Sequence, residues 1–333
     1  VRGGRAGVRG GIKLASIDDW DNLCEMRIEL LNSRFERLFS MTKPRMEEFI
    51  RLGECLTEAT KARRRLSPVR MPSPPFEPWE LTGVQTQLYR MVNAHAALME
   101  VCCIEKNTLD IQQANLAVKY FIYAALLDFH NLFLDGIRFP KKRILQKVSS
   151  GYVMFVALGR LIEIDIDLKY IVELYLRSCA QKRIKGDLQL YDGLVFFVLA
   201  DIYDLEYPSN TMLGDPFFNW AALNWKTDDL GVSKKLFTGL YEKHVIGMVL
   251  DNDPSAAREE ALWHFFPVHI YLLQKEREKL GLINPVIDHS LANIVIPEGI
   301  DMNDDELVSM LNSVAEKLYE QGFSESAVKR AIG

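Results

Sequence analysis

The sequence predicts an all-α protein, an irregular bundle of about nine to eleven helices with little or no strand. Three observations lead there. Apolar residues recur at steps of three and four along most of the chain, as on one face of a helix. Capping residues sit at the ends of those periodic segments. Strand signals are thin: "NIVIPEG", residues 293–299, is the best of them, and one strand by itself is not stable.

The elements follow in order. Residues 1–15 are expected to form a flexible Gly/Arg-rich leader. Their positive charge is followed by no apolar h-region, unlike a secretory signal. In 18–41, Trp20, Leu23, Ile28, Leu31, Phe35 and Leu38 draw an apolar stripe, with Ser16 and Asp19 as its capping box. A second helix over 44–63 completes an N-terminal hairpin, 16–63. Residues 64–80 hold Pro68, Pro72, Pro74, Pro75 and Pro78. Each proline removes a donor and fixes φ, so this is a loop.

The remainder, 81–333, is expected to be the main bundle. Helices are predicted over 81–106, 110–135, 141–163, 168–181, 187–204, 231–250, 253–280 and 304–321. Asp110 with Gln113 reads as a capping box and Gly136 as a stop. "YVMFVALGRLIEI" is apolar nearly all round and belongs at the centre. Asp253 suits an N-cap, Pro254 the first helical position and Gly281 the C′ position. Pro267 should kink the helix that contains it. Asn303 with Glu306 caps the last helix.

Composition bounds the function. With 333 residues, 40 basic and 45 acidic, the formal charge is −5, which argues against a dedicated nucleic-acid binder. Five cysteines without a C-x-x-C pair read as reduced, mostly buried thiols. The longest apolar runs, such as Leu194–Ala200, fall far short of a membrane span. There is no Walker loop, Rossmann glycine fingerprint, G-x-S-x-G elbow, H-E-x-x-H or EF-hand loop.

Glu260 and His264 share a helix face and His269 lies five further on, which offers two converging metal ligands at best where three or four are needed. Histidine beside an aromatic core is the simpler reading. Glu163, Asp165 and Asp167 alternate but lack the glycine that turns a calcium loop, so Asp165 or Asp167 is expected to cap the next helix. No catalytic, cofactor or metal residue is assigned, and no cofactor is expected.

One stretch stands out. Between Gly186 and Asp229 lie eight acids, Asp187, Asp192, Asp201, Asp204, Glu206, Asp215, Asp228 and Asp229, against the single base Lys226. Nine aromatics accompany them, Tyr207 and Trp220 among them. A solvated helix face accounts for acids on one element. An acidic rim with aromatic anchors is also what recognition of a basic protein requires. The candidate partner-binding residues are Asp192, Asp201, Asp204, Glu206, Tyr207, Asp215, Trp220, Asp228 and Asp229.

Two segments resemble a known family. "GYVMFVALGRLIEIDIDLKYIVELYLRSCAQKRIKGDLQLYDGLVFFVLA" (151–200) looks like the core of the helical immunity proteins of bacterial polymorphic toxin systems, the PoNe-immunity type. "HFFPVHIYLLQKEREKLGLINPVIDHSLAN" (264–293) is similar to their carboxy-terminal helix and the tail after it. Phe265-Phe266-Pro267-Val268-His269 stands where that family usually has a Tyr-Trp…Glu-Ala-Ala core. The resemblance implies a cytoplasmic, non-enzymatic immunity protein, an antitoxin that binds and neutralises a cognate toxin delivered by a system such as type VI secretion. The implied partner is a basic effector of nuclease type, whose active cleft the acidic and aromatic surface would cover. No membrane or direct nucleic-acid contact is implied. Two alternatives stay open: a helical enzyme with dispersed Asp, Glu and His, and a general interaction adaptor.

Overall fold

The computed structural model describes residues 78–138, 148–149, 153–164, 166, 168–180, 184–185, 190–208, 215–251, 265–299, 302–304, 308 and 311. This part is helical. It holds α1 (Pro78–Lys106), α2 (Ile111–Arg138), α3 (Val153–Leu161), α4 (Leu168–Ala180), α5 (Leu190–Ile202), α6 (Pro216–Asn224), α7 (Leu230–Asp251) and α8 (Val268–Lys279). A 3₁₀ turn, Ser290–Ala292, follows. Among the described residues no helix is long and apolar enough to cross a membrane. The expected leader, the N-terminal hairpin with its cap, the Asp253–Pro254 start and most of 304–321 lie outside the described residues.

Helices α1 and α2 form a hairpin. Pro78 opens α1 three positions before the expected start, because a proline at the first helical position gives up a donor that has no partner there anyway. Asp110 caps α2 by accepting the Gln113 amide at 3.0 Å. The reciprocal half of that box is missing: Gln113 Oε1 lies 2.7 Å from His95 Nδ1 and links the two helices instead. Gly136 does not stop α2, which runs on to Arg138. Among the described residues the 293–299 segment supplies only one bridge. The Leu109 amide donates to the Val295 carbonyl at 2.9 Å and the Val295 amide to Asn107 at 2.8 Å.

Two expected helices are corrected. In place of one helix over 141–163, Val148–Ser149 pairs in parallel with Ile184–Lys185, and α3 spans Val153–Leu161. Ser149, Ser150 and Gly151 are poor helix formers, which local spacing of apolar residues does not register. Pro267 kinks nothing: Phe265–Pro267 is not helical and Pro267 is the N-cap of α8.

Two apolar cores share α5 and α8. α3 lies in the first, buried along its length except at Arg160. Around it pack Tyr120, Phe121, Tyr175, Phe196 and Phe266. The second core joins Phe218 and Trp225 of the α6 region to Phe237 and Tyr241 of α7 and Leu273 of α8. Val195 and Leu199 face the first core while Leu194 and Val198 face the second, so α5 has to be apolar on both sides. Each such fully buried side chain contributes about 1.5–3 kcal/mol by transfer from water. Arg160 of α3 clamps α8 through two 2.9 Å bonds to Glu276.

Candidate partner-binding face

The described part of the acid-rich stretch holds the whole of α5 and α6 and runs up to Asp229, the residue before α7. The ends of these helices depend on its acids. Asp215 is the N-cap of α6, accepting the Phe217 amide at 2.7 Å, with Pro216 at the first helical position. Asp229 caps α7, its Oδ1 accepting from Gly231 at 2.7 Å and Val232 at 3.0 Å. Asp204 ends α5 in the left-handed region at φ 54°. The Leu205 amide there reaches back to Ala200 at 2.8 Å, and a short polar side chain tolerates that backbone better than most.

The bases missing from the stretch arrive from elsewhere. Lys243 of α7 bonds Asp215 at 2.6 Å and holds its carboxyl below the ordinary value. Lys235 lies 5.2 Å from the Trp220 ring. Phe217 lines a cleft of about 420 Å³ with Lys234, Lys235, Glu242 and Lys243. The stretch's own Lys226 bonds Asp201 at 2.7 Å. The field is therefore of mixed sign, a correction to the expectation of an almost unopposed negative patch.

The nine candidate residues do not form one site. Asp201 and Tyr207 line a cleft of about 340 Å³ between α5 and α6 with Phe197, Leu205, Leu223, Trp225 and Lys226. Asp215 and Trp220 belong to the neighbouring lysine-bearing cleft through Lys243, Phe217 and Lys235. Asp204, Glu206 and Asp228 are exposed. Asp192 is half-buried in the first turn of α5, at the opposite end of that helix from Asp201.

The organiser of this corner is Arg277, fully buried on α8. Its Nη1 donates to the carbonyls of Trp225 at 2.7 Å and Thr227 at 2.9 Å. Nη2 donates to the Ile283 carbonyl at 3.0 Å and Nε to Asn284 Oδ1 at 3.0 Å. No carboxylate balances this charge among those bonds. The cation instead collects carbonyl dipoles, two of them from the turn after α6, where the helix dipole is negative.

Arg277 thereby holds the 225–229 turn beside the loop after α8. Gly281 turns that loop at φ 73°, with the Leu282 amide returning to the Arg277 carbonyl at 2.9 Å. Leu223 (80 % exposed) and Leu230 flank this turn, and Leu280, Ile283 (70 %) and Val286 (92 %) follow α8. Among the described residues only Val295 is a further large hydrophobic left so exposed.

Sequence reasoning passed over Arg277, which stands in the charged run "QKEREK". One signal was there: Ile270, Leu273 and Arg277 fall at i, i+3 and i+7, on one face. Ile283 and Val286, in an irregular loop, carry no periodic signal.

The metal readings resolve differently. Glu260, His264, Asp165 and Asp167 lie outside the described residues. Glu163 ends α3 at φ 57° and bonds Lys279 at 2.9 Å, which lowers its pKa. His269 is buried 4.5 Å from Tyr191 and 5.3 Å from His244 between ring centroids, and neither ring nitrogen has a hydrogen-bond partner among the described residues. Burial holds its pKa well below the ordinary histidine value, so it is neutral.

Compared with known proteins, the chain matches no family model, no curated protein and no solved structure.

Proposed function

We propose that this protein acts by binding another protein through the corner around Arg277. As its resemblance to the PoNe-immunity type implies, that partner is a cognate toxin, neutralised when this corner covers its active cleft. One observation carries the reading: five large hydrophobic side chains stand exposed on or beside segments that a buried arginine fixes together. Exposed apolar side chains gathered in one region, rimmed by polar residues, mark interaction surfaces. Prior fixing of the backbone lowers the entropy lost on association. Asp204, Glu206 and Asp228 supply an acidic rim that suits a basic partner.

The reading expects a toxin domain encoded beside this protein, and the test pairs the two, reading growth rescue and complex formation together. The L223D/I283D variant should lose both while remaining helical by circular dichroism. The D204N/E206Q/D228N variant should slow association several-fold and flatten its salt dependence, leaving dissociation nearly unchanged. Asparagine at 204 keeps a residue that accepts the left-handed backbone. Full rescue and wild-type affinity in L223D/I283D would remove this corner from the function.

A further inference from the structure

We infer that the cleft beside Asp201 is an arginine-binding site, filled in the free protein by Lys226. The inference rests on the partner-binding reading for its biological meaning and on geometry for its chemistry.

Asp201 Oδ2 accepts the Trp225 indole N–H at 3.0 Å and Lys226 Nζ at 2.7 Å. Oδ1 takes no hydrogen bond from a described residue. The indole thus fixes the carboxylate's rotamer and leaves one oxygen open. Lys226 Nζ also stands 4.9 Å from the centroid of the Trp225 ring. A cation position made of a carboxylate and an aromatic face is therefore already occupied, by a side chain of this chain.

The cleft of about 340 Å³ continues from that position along Phe197, Tyr207, Leu205 and Leu223. Phe197 and Tyr207 meet edge to face, 5.3 Å between centroids. This wall suits the methylene stem of a long cationic side chain, with the head group at Asp201.

Lysine can use only one carboxylate oxygen well as a point charge. The planar arginine fork engages both oxygens and also lies against an aromatic face. Lys226 and Asp201 are each more than a third exposed, so their pairing is weak and exchangeable. An arginine from a basic partner displaces Lys226 from Asp201, and Lys226 returns when the partner leaves. Lys226 keeps the carboxylate masked against lone lysines and simple cations.

The experiment titrates the full-length protein, labelled with ¹⁵N-tryptophan, with N-acetyl-arginine methylamide. The Trp225 indole N–H, assigned with W225F, reports binding. A saturable shift is expected. K226M, which removes the competitor, should bind the probe about two- to five-fold tighter. D201N, which retains an acceptor for the indole, should weaken it at least about ten-fold. N-acetyl-lysine methylamide should bind more weakly than the arginine probe.

No shift with K226M, or equal probe binding by D201N and the unsubstituted protein, overturns the site. Equal binding of the lysine probe overturns its preference for arginine. Because no toxin is present, the titration can succeed where complex formation fails, which would count against the immunity reading alone.

Discussion

Replacing Arg277 by methionine tests whether one buried cation builds the corner. Methionine keeps much of the volume and leaves four acceptors without their donor. The bond to the Trp225 carbonyl is buried, so losing it leaves an unsatisfied group worth about 1–3 kcal/mol. The bonds to Thr227, Ile283 and Asn284 are partly exposed; water replaces them, at about 0.5–1 kcal/mol each. Relief of the cation's own desolvation works the other way, which keeps the total near 4 kcal/mol. That is a large part of the roughly 5–15 kcal/mol by which domains are stable.

Urea unfolding should therefore show a lower midpoint for R277M with an unchanged slope. Hydrogen exchange should quicken first at Gly231 and Val232, whose amides are capped by Asp229 on the turn that Arg277 holds. R277K keeps a charge but not the four-way fork, and should recover less than half of the loss. An R277M protein within about 1 kcal/mol of the original would refute the reasoning, since the carbonyls would then be satisfied without arginine.

Three further outcomes are expected. Burial raises the Asp128 carboxyl from 3.8 to about 6, against the opposing hydrogen bonds of Tyr89 and Gln85. The folded state then binds a proton that the unfolded state has released, so stability should fall by about 3 kcal/mol as pH rises from about 4 to about 6. Urea unfolding at several pH values should show this decline, and D128N should flatten it. G281A places a side chain at φ 73° with nothing within 4 Å to touch, so thermal unfolding should register a loss of about 1 kcal/mol from backbone strain alone. G159A would bring a Cβ to 2.9 Å from Val118 Cγ1 and 3.2 Å from Leu168 Cδ1. Denaturant unfolding should report about 1–3 kcal/mol of overpacking, from side chains inside the central core.

The helices were legible because burial imprints a period on the sequence. α3 is the clearest case: a segment apolar all round has nowhere to lie but the centre, and there it lies. Its start was misread because apolar spacing runs on past Val148–Ser149, which pair as strand, and does not register that serine and glycine in this stretch are poor helix formers. Pro267 was misread in the same way, since it suits a first turn better than an interior and the flanking apolar residues look alike in both cases. The acids were legible as a group but not by role. Asp215 and Asp229 cap helices, and sequence gives no sign that Lys243 would come to lie against Asp215.

That division of roles changes what the acidic stretch can contribute to binding. Asp215 is committed to a helix start and a lysine, Asp229 to a helix start, and Asp201 to an indole and, in the free protein, to an exchangeable lysine. Of the candidates at this corner, Asp204, Glu206 and Asp228 remain as exposed charges, and Lys234 and Lys235 stand exposed on the neighbouring helix. On the proposed reading such a field would steer a basic partner and set its rate of approach, but exposed charges in water hold little free energy. Affinity must come from apolar surface removed from water, at about 25 cal/mol per Å². At this corner Leu223, Leu230, Leu280, Ile283 and Val286 offer it. On the proposed reading the buried arginine therefore matters more to recognition than any acid on the rim, because it fixes the turn and loop that carry or flank those five side chains before a partner arrives.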